Sequence, residues 1–358
     1  NSNEQNVKTY NLNSLTEFNA NLIKENSNSE AIFFIILDGM MSLNSAEKLK
    51  IIKNKKEIIK FLKKNNLEYK NNFFTNYNTT YLSISSLLQS TYPVTEKSKK
   101  YYNRNNFFPN RILNPKKNNN FLNILKKTNK KFMWAGNSAV FCQNNLYIRC
   151  INSGGFYKIF TKIQPFYYDS IFFYLFKFNF NNNNKKNSLN FLTSTNTEFK
   201  NNEIYLIHVL NPHPPYVFDK NCNIKNNNQT IDFLPNKEIE NYSYAYNCLI
   251  DIVNNWTNKI DKINKNHMIF IMGDHGWSFD EETMQSHNLS SEEGRRFPFF
   301  SYKIPSRCDK ITKPNSIVNV MRFALICAGN ENLKYLKDLK FKSFYEDHSD
   351  YGKVILIK

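Results

Sequence analysis

Acidic residues are scarce in this chain. Only 30 Asp and Glu stand against 48 Lys and Arg, for a formal net charge of +18. Such a balance admits nucleic acid, an anionic membrane surface or an anionic substrate as partner. The cations, however, are mostly Lys scattered among Asn runs such as 181–184 and 226–228, with no periodic Arg stripe and no nucleic-acid module. Nucleic acid is therefore not expected, and the Asn and Lys runs read as surface loops. Long apolar runs are also missing. The longest candidate, 167–180, is interrupted by Asp169 and Lys177, too short a stretch to cross a bilayer. No signal-peptide pattern is present. The chain opens on Asn1 without an initiator Met, so an amino-terminal piece is expected to precede it. The six cysteines (Cys142, Cys150, Cys222, Cys248, Cys308, Cys327) form no CxxC, which excludes a zinc knuckle. Cys142 and Cys150 are placed to pair across a hairpin in an oxidising compartment. Buried free thiols are the equal alternative. No internal repeat is visible.

What is abundant is core material. Hydrophobic residues are 41% of the 358 and aromatics 15%, enough for one large domain or two modest ones and not for a disordered chain. Residues 1–30 are polar and Asn-rich and read as a loosely held lead-in to a domain over 31–358.

The most informative stretch is 268–279, MIFIMGDHGWSF. Its apolar run, Met268 to Met272, has the length of a buried strand and ends at Gly273. Asp274 and His275 follow at once. In an open α/β sheet, ligands gather at the carboxyl ends of the strands, so a carboxylate and an imidazole there could hold a metal ion. On the dipeptide alone, a helix-capping Asp and a surface His are the commoner reading. The same pattern recurs at 31–37, AIFFIIL, followed by Asp38 and Gly39, where the commoner role is a turn aspartate.

Other elements arrive at the same edge. Residues 45–64 have helical spacing with Lys outward, and 73–75 are strand-like. Leu82, Ile84, Leu87 and Leu88 fit a helix starting near Thr79 or Thr80. A hydroxyl at a helix start is commonly an N-cap. It can instead be a nucleophile, because the helix N-terminus stabilises a phosphate or sulfate attacked there. Residues 121–127 read as a helix and 131–135 as a strand leading into Gly136-Asn137-Ser138. Residues 144–155 read as loop or hairpin, and 164–178 as an aromatic helix or lid. The run 203–210, EIYLIHVL, is a third strong strand. It leads into Asn211-Pro212-His213-Pro214-Pro215, where prolines restrict the loop around His213. His208, inside the strand, reads as a core histidine. A long helix follows at 236–262, then a polar loop at 276–291 with His287, a strand at 295–305, a helix at 314–328 and an apolar tail at 354–357. Alternating strands and helices imply an α/β three-layer sandwich, a mostly parallel central sheet with helices on both faces.

The order of ILDGM at 36–40, NYNTTYLSISSLL at 76–88, HVLNPHPPYVFD at 208–219, MGDHG at 272–276 and RRFPFFSYKIP at 295–305 resembles the alkaline phosphatase/sulfatase superfamily. Within it the likeness is to the sulfatase-like membrane-anchored transferases, the phosphoethanolamine transferases and lipoteichoic acid synthases, over most of 31–329. The resemblance implies a site for one divalent metal, Zn or Mn, formed by Asp38, Thr80, Asp274 and His275. It implies Thr80 as nucleophile, with Thr79 as fallback, and His213 contacting the transferred phosphate or the leaving group. His287 is the only spare histidine near in sequence for a second ion. The Cys-x-Pro-x-Arg motif of formylglycine sulfatases is absent, which argues against sulfate-ester hydrolysis of that type. The implied substrate is an envelope phospholipid or glycan. The implied location is the cytoplasmic membrane, with this domain facing the periplasm or exterior and an anchor in a missing amino-terminal segment. The alternative is a non-catalytic glycan-binding member of the same fold.

Overall fold

The computed structural model describes residues 18–24, 30–98, 107–109, 111–113, 119–136, 146–151, 189, 191–193, 199–225, 235–344 and 353–357. The lid-like reading of 164–178 lies outside these residues, as do Asn137, Ser138 and Cys142.

The first strand, β1 (Ile32–Leu37), is apolar on both faces and wholly buried. Its alternation divides the core in two. Phe33, Ile35 and Leu37 join one apolar cluster, and Ile32, Phe34 and Ile36 join the other. After β1 come two short helices, α1 (Leu43–Lys48) and α2 (Lys55–Lys64). The spacing over 45–64 suggested one helix. The break falls where Lys50 adopts a left-handed φ of 57°, Ile51 and Ile52 turn into the core, and Asn54 caps α2. A two-residue strand, β2 (Glu68–Tyr69), follows, then helix α3 (Thr80–Gln89), helix α4 (Asn120–Thr128), and strands β3 (Lys131–Ala135), β4 (Ile148–Ile151) and β5 (Glu203–Val209). The long helix α5 (Pro235–Ile263) leads to β6 (Met268–Met272). Two helices, α6 (Glu281–Ser286) and α7 (Ser291–Arg296), then strand β7 (Phe300–Lys303), helix α8 (Val320–Cys327) and strands β8 (Lys340–Ser343) and β9 (Val354–Ile357) complete the chain.

The main sheet has seven strands in the order β2-β7-β6-β1-β5-β3-β4. The five from β6 to β4 run parallel, and β7 joins β6 antiparallel. Helices α1, α2 and α5 cover the face bearing Phe33, Tyr205 and Ile269. Helices α3, α4 and α8 cover the face bearing Phe34, Leu206 and Phe270. Each such buried side chain contributes roughly 1.5–3 kcal/mol relative to exposure. This is the expected three-layer sandwich. β8 and β9 form a separate antiparallel pair.

Several expectations shift. Residues 73–75 form no strand, only a single bridge from Phe74 to Ser316. β4 lies within the stretch 144–155, read as loop or hairpin, and pairs parallel with β3. Part of 276–291 is helical, and within 295–305 only β7 is strand. From the polar lead-in, Phe18 and Ile23 are buried in the core. Cys222–Cys248 and Cys308–Cys327 are disulfides, with Cα separations of 5.4 and 5.3 Å, and no cysteine among the described residues is free. The free-thiol alternative therefore fails. The first bridge ties the loop after β5 to α5, and the second ties the segment after β7 to α8. Among the described residues no helix is long and apolar enough to cross a membrane.

Candidate active site

The register of three parallel strands brings the site together. Ile36 of β1 lies opposite His208 of β5 and Met272 of β6. Asp38 and Asp274 therefore each stand two residues beyond a common level, and His208 stands at it. Ile36, Leu206 and Met272 share the face covered by α3, and continued alternation carries Asp38, His208 and Asp274 to that same face.

Asp38, His208 and Asp274 each offer one ligand atom, all within 4.8 Å of one another. His208 Nε2 is 3.3 Å from Asp38 Oδ2. His275 Nε2 lies 3.4 Å from Asp274 Oδ2, 3.9 Å from Asp38 Oδ1 and 3.3 Å from Thr80 Oγ1. Thr80 is the first residue of α3 and is half-buried, so it connects the cluster to the surface. Thr79, one residue earlier, is buried and directed elsewhere, with its hydroxyl 3.4 Å from Ser343 Oγ.

The loops are held by their own sequence. Gly39 takes a φ of +73° and donates its N–H to Asp274 Oδ1 at 3.0 Å, linking the turn after β1 to the one after β6. Tyr242 of α5 donates its hydroxyl to the Gly39 carbonyl at 2.8 Å. Gly276 packs so closely on α7 that a Cβ there would meet the Gly294 carbonyl oxygen at 1.9 Å. The loop carrying His275 is thereby fixed against that helix.

The ring nitrogens are assigned by their partners. His275 Nδ1 lies 2.7 Å from the Gly276 carbonyl, and His213 Nδ1 lies 2.7 Å from the Pro214 carbonyl. A carbonyl only accepts, so Nδ1 carries the proton in both rings, and Nε2 bears no proton in the neutral form. His213 donates its backbone N–H to the Asp38 carbonyl at 3.0 Å, and its ring meets Trp277 edge-on at 4.9 Å.

Charge in this pocket is one-sided. Burial works to raise the Asp38 carboxyl pKa, but His213, His208 and His275 together hold it well below the usual carboxylate range. Asp38 Oδ1, Asp274 Oδ2 and His208 Nε2 are all buried without a hydrogen-bond partner. Buried polar atoms are rarely left so, and two adjacent carboxylates need a cation. The oxygen and imidazole donors suit a divalent metal ion, and the residues present fit one.

The geometry thus brings together Asp38, Thr80, Asp274 and His275, with His213 beside Asp38. It adds His208, which the sequence placed in the core. Its signal was its parity with Ile204 and Leu206, but only the register of β5 against β1 sets it beside Asp38. His287 ends α6, its Nδ1 3.0 Å from the Thr283 carbonyl oxygen.

The sulfatase family model matches residues 30–330. The chain belongs to the sulfatase family. Its fold is similar to the C-terminal periplasmic domain of EcEptC from Escherichia coli, at a TM-score of 0.53 and 11% identity over 93% of this chain and 94% of that one. The zinc complex of that domain matches at 0.52 and 12% identity, over the same shares. The lipoteichoic acid synthase LtaP from Listeria monocytogenes stands at 0.48 and 14% identity, over 89% of this chain and 77% of that one. A search by sequence among curated proteins matches none. Sulfatase-family proteins are typically enzymes, and the cluster around Asp38 gives this member a candidate metal site.

Proposed function

We propose that this sulfatase-family domain, residues 31–358, is a metal-dependent transferase or hydrolase of phosphate esters that works through a covalent Thr80 intermediate and modifies an envelope glycan or lipid with a phospho-substituent. The observation that carries the reading is the meeting of Thr80 Oγ1 with His275 Nε2 inside a cluster of buried, unpartnered carboxylate and imidazole atoms. Asp38, Thr80, Asp274 and His275 would hold one Zn or Mn ion, and His208 would join them. The zinc-bound state of the EcEptC domain favours zinc.

The ion, when bound, supplies the positive charge that lets Thr80 ionise near neutral pH and that offsets charge on the transferred group. Ionised Thr80 Oγ1 attacks phosphorus, forming the Thr80–phosphorus bond as the bond to the donor's leaving oxygen breaks. His213, protonated at Nε2, gives that proton to the leaving oxygen. The acceptor hydroxyl then returns a proton to His213 Nε2 as its oxygen attacks the phosphothreonine and frees Thr80. The Nδ1–H bond to Pro214 keeps His213 Nε2 turned to this task throughout.

The disulfides fit an oxidising compartment outside the cytoplasm. That supports a domain working on the outer side of the cytoplasmic membrane, on phospholipid or glycan. The test is incubation with phospholipid vesicles, with mass spectrometry of the peptide containing Thr80 and anomalous scattering at the zinc and manganese edges. A phosphorylated adduct on Thr80 and one bound ion are expected. No metal and no adduct with any phosphodiester donor would leave the non-catalytic glycan-binding reading in its place.

A further inference from the structure

The backbone that presents Thr80 is gripped by a strand lying beyond the span matched by the family model, which ends at residue 330. Phe341 of β8 donates its N–H to the Asn76 carbonyl at 2.8 Å, as one strand pairs with the next. Two residues on, the chain turns toward α3 and its main chain leaves this pairing. The Asn78 side chain takes over. Its Oδ1 accepts from Ser343 N–H at 2.8 Å and its Nδ2 donates to the Ser343 carbonyl at 3.2 Å, so the carboxamide substitutes for a peptide unit. The Ser343 hydroxyl donates to Asn78 Oδ1 as well.

The same hydroxyl lies 3.4 Å from Thr79 Oγ1. Thr79 is the N-cap of α3, with extended backbone (φ −132°, ψ 139°) that suits a cap, yet its side chain makes no capping hydrogen bond. Threonine at this position ordinarily turns its oxygen onto the first-turn amides. Here it is turned to β8, and Ser343 and Thr79 are both buried. The first residue of the turn that the Thr79 side chain does not cap is Thr80, which touches the cluster whose Asp38 Oδ1, His208 Nε2 and Asp274 Oδ2 lack hydrogen-bond partners.

We infer that Ser343 is a positioning residue for Thr80: it holds the Thr79 hydroxyl off the cap position of α3, so that the first turn meets the group under attack and not its own threonine. The inference deepens, and for its kinetic effect rests on, the proposed role of Thr80. Without the Ser343 hydroxyl, Thr79 swings to cap the turn and competes for the amides beside the nucleophile. The backbone N–H and carbonyl of Ser343 still hold Asn78, so Ser343→Ala is expected to fold.

The test is a crystal structure of Ser343→Ala together with kinetics of a small set of variants. In that structure the Thr79 hydroxyl should lie within hydrogen-bond distance of the Tyr81 or Leu82 amide. The kcat for transfer from phosphatidylethanolamine vesicles should fall about tenfold with KM nearly unchanged, since the loss is in placing the reacting groups. Ser343→Thr, which keeps the hydroxyl, should restore kcat. Thr79→Ala in the Ser343→Ala background should also restore it, because no hydroxyl is left to form the cap. A purely structural role predicts no such rescue, and its absence would overturn the inference. So would a Ser343→Ala structure in which Thr79 keeps its place, whatever the activity. Lack of any adduct on Thr80 in the parent protein would instead count against the proposed reaction, and the Thr79 rotamer would still decide the role of Ser343.

Discussion

Thr80 Oγ1 lies 3.3 Å from His275 Nε2, while the adjacent Thr79 points to Ser343. Two consecutive threonines thus face separate partners, a division the sequence left open. Thr80→Ala is expected to abolish the covalent adduct and cut turnover by about a thousandfold or more, as loss of a nucleophile does. As the first residue of α3 it makes little packing contribution, so the thermal midpoint should move by only a few degrees. Thr79→Ala should keep the adduct. Mass spectrometry of the peptide containing both residues checks this, and an adduct surviving in Thr80→Ala would reassign the nucleophile.

Asp38 and Asp274 offer ligand atoms within 4.8 Å of each other, and each has an oxygen without a hydrogen-bond partner. If a cation neutralises them, chelation should destabilise the fold, by about 2.7 kcal/mol where the metal had been present at a hundred times its dissociation constant. Asp274→Asn keeps the acceptor for the Gly39 N–H but removes one charge. It should bind metal far more weakly, and its melting temperature should not respond to EDTA. Calorimetry with and without chelator is the measurement. Equal shifts in parent and variant would place the ion elsewhere.

The apolar runs of β1, β5 and β6 announce a buried parallel sheet, because parallel strands covered on both faces need no polar alternation. The acids at their carboxyl ends follow from the same pattern, and Asp38 and Asp274 were legible for that reason. His208 was not, since its place depends on which residue of β5 lies opposite Ile36, and register is a property of the assembled sheet. β8 was equally hidden. Its sequence, KFKS, is short and mostly polar, and it forms because β9 and the distant Asn76 and Asn78 offer it partners. The helix break after α1 also escaped, because Ile51 and Ile52 continue the apolar spacing while the backbone turns at Lys50.

The Cys222–Cys248 bridge closes a separation of 26 residues between the loop after β5 and α5. Chain-entropy arguments give about 3.5 kcal/mol for a loop of this order. Replacing both cysteines by Ala should lower stability by about that amount. It should also loosen the segment that carries His213, which lies on the same loop. Denaturant titrations of the oxidised parent and the double variant check the first point, and a fall in kcat larger than any change in KM checks the second. A variant as stable as the parent would show that the bridge constrains little in the unfolded chain.

His267 sits at the far end of the sheet, where its Nδ1 accepts the Ala31 N–H at 3.2 Å and its ring meets Phe33 edge-on at 5.5 Å. Burial, and then Lys303, pull its pKa below the ordinary histidine value, with Glu30 and Asp261 offsetting part of that. The bond to Ala31 acts in the same direction, since a protonated Nδ1 cannot accept the Ala31 N–H. The unfolded chain therefore binds the proton more tightly than the folded one. Stability is full above the unfolded value of roughly 6.5 and falls as pH drops below it toward the lower folded value. His267→Asn keeps an acceptor for Ala31 without a titratable ring, so its stability should decline less steeply from about pH 7 to about pH 5. Urea titrations across that range measure the slope. Parallel slopes for parent and variant would assign the acid sensitivity of the fold to other groups.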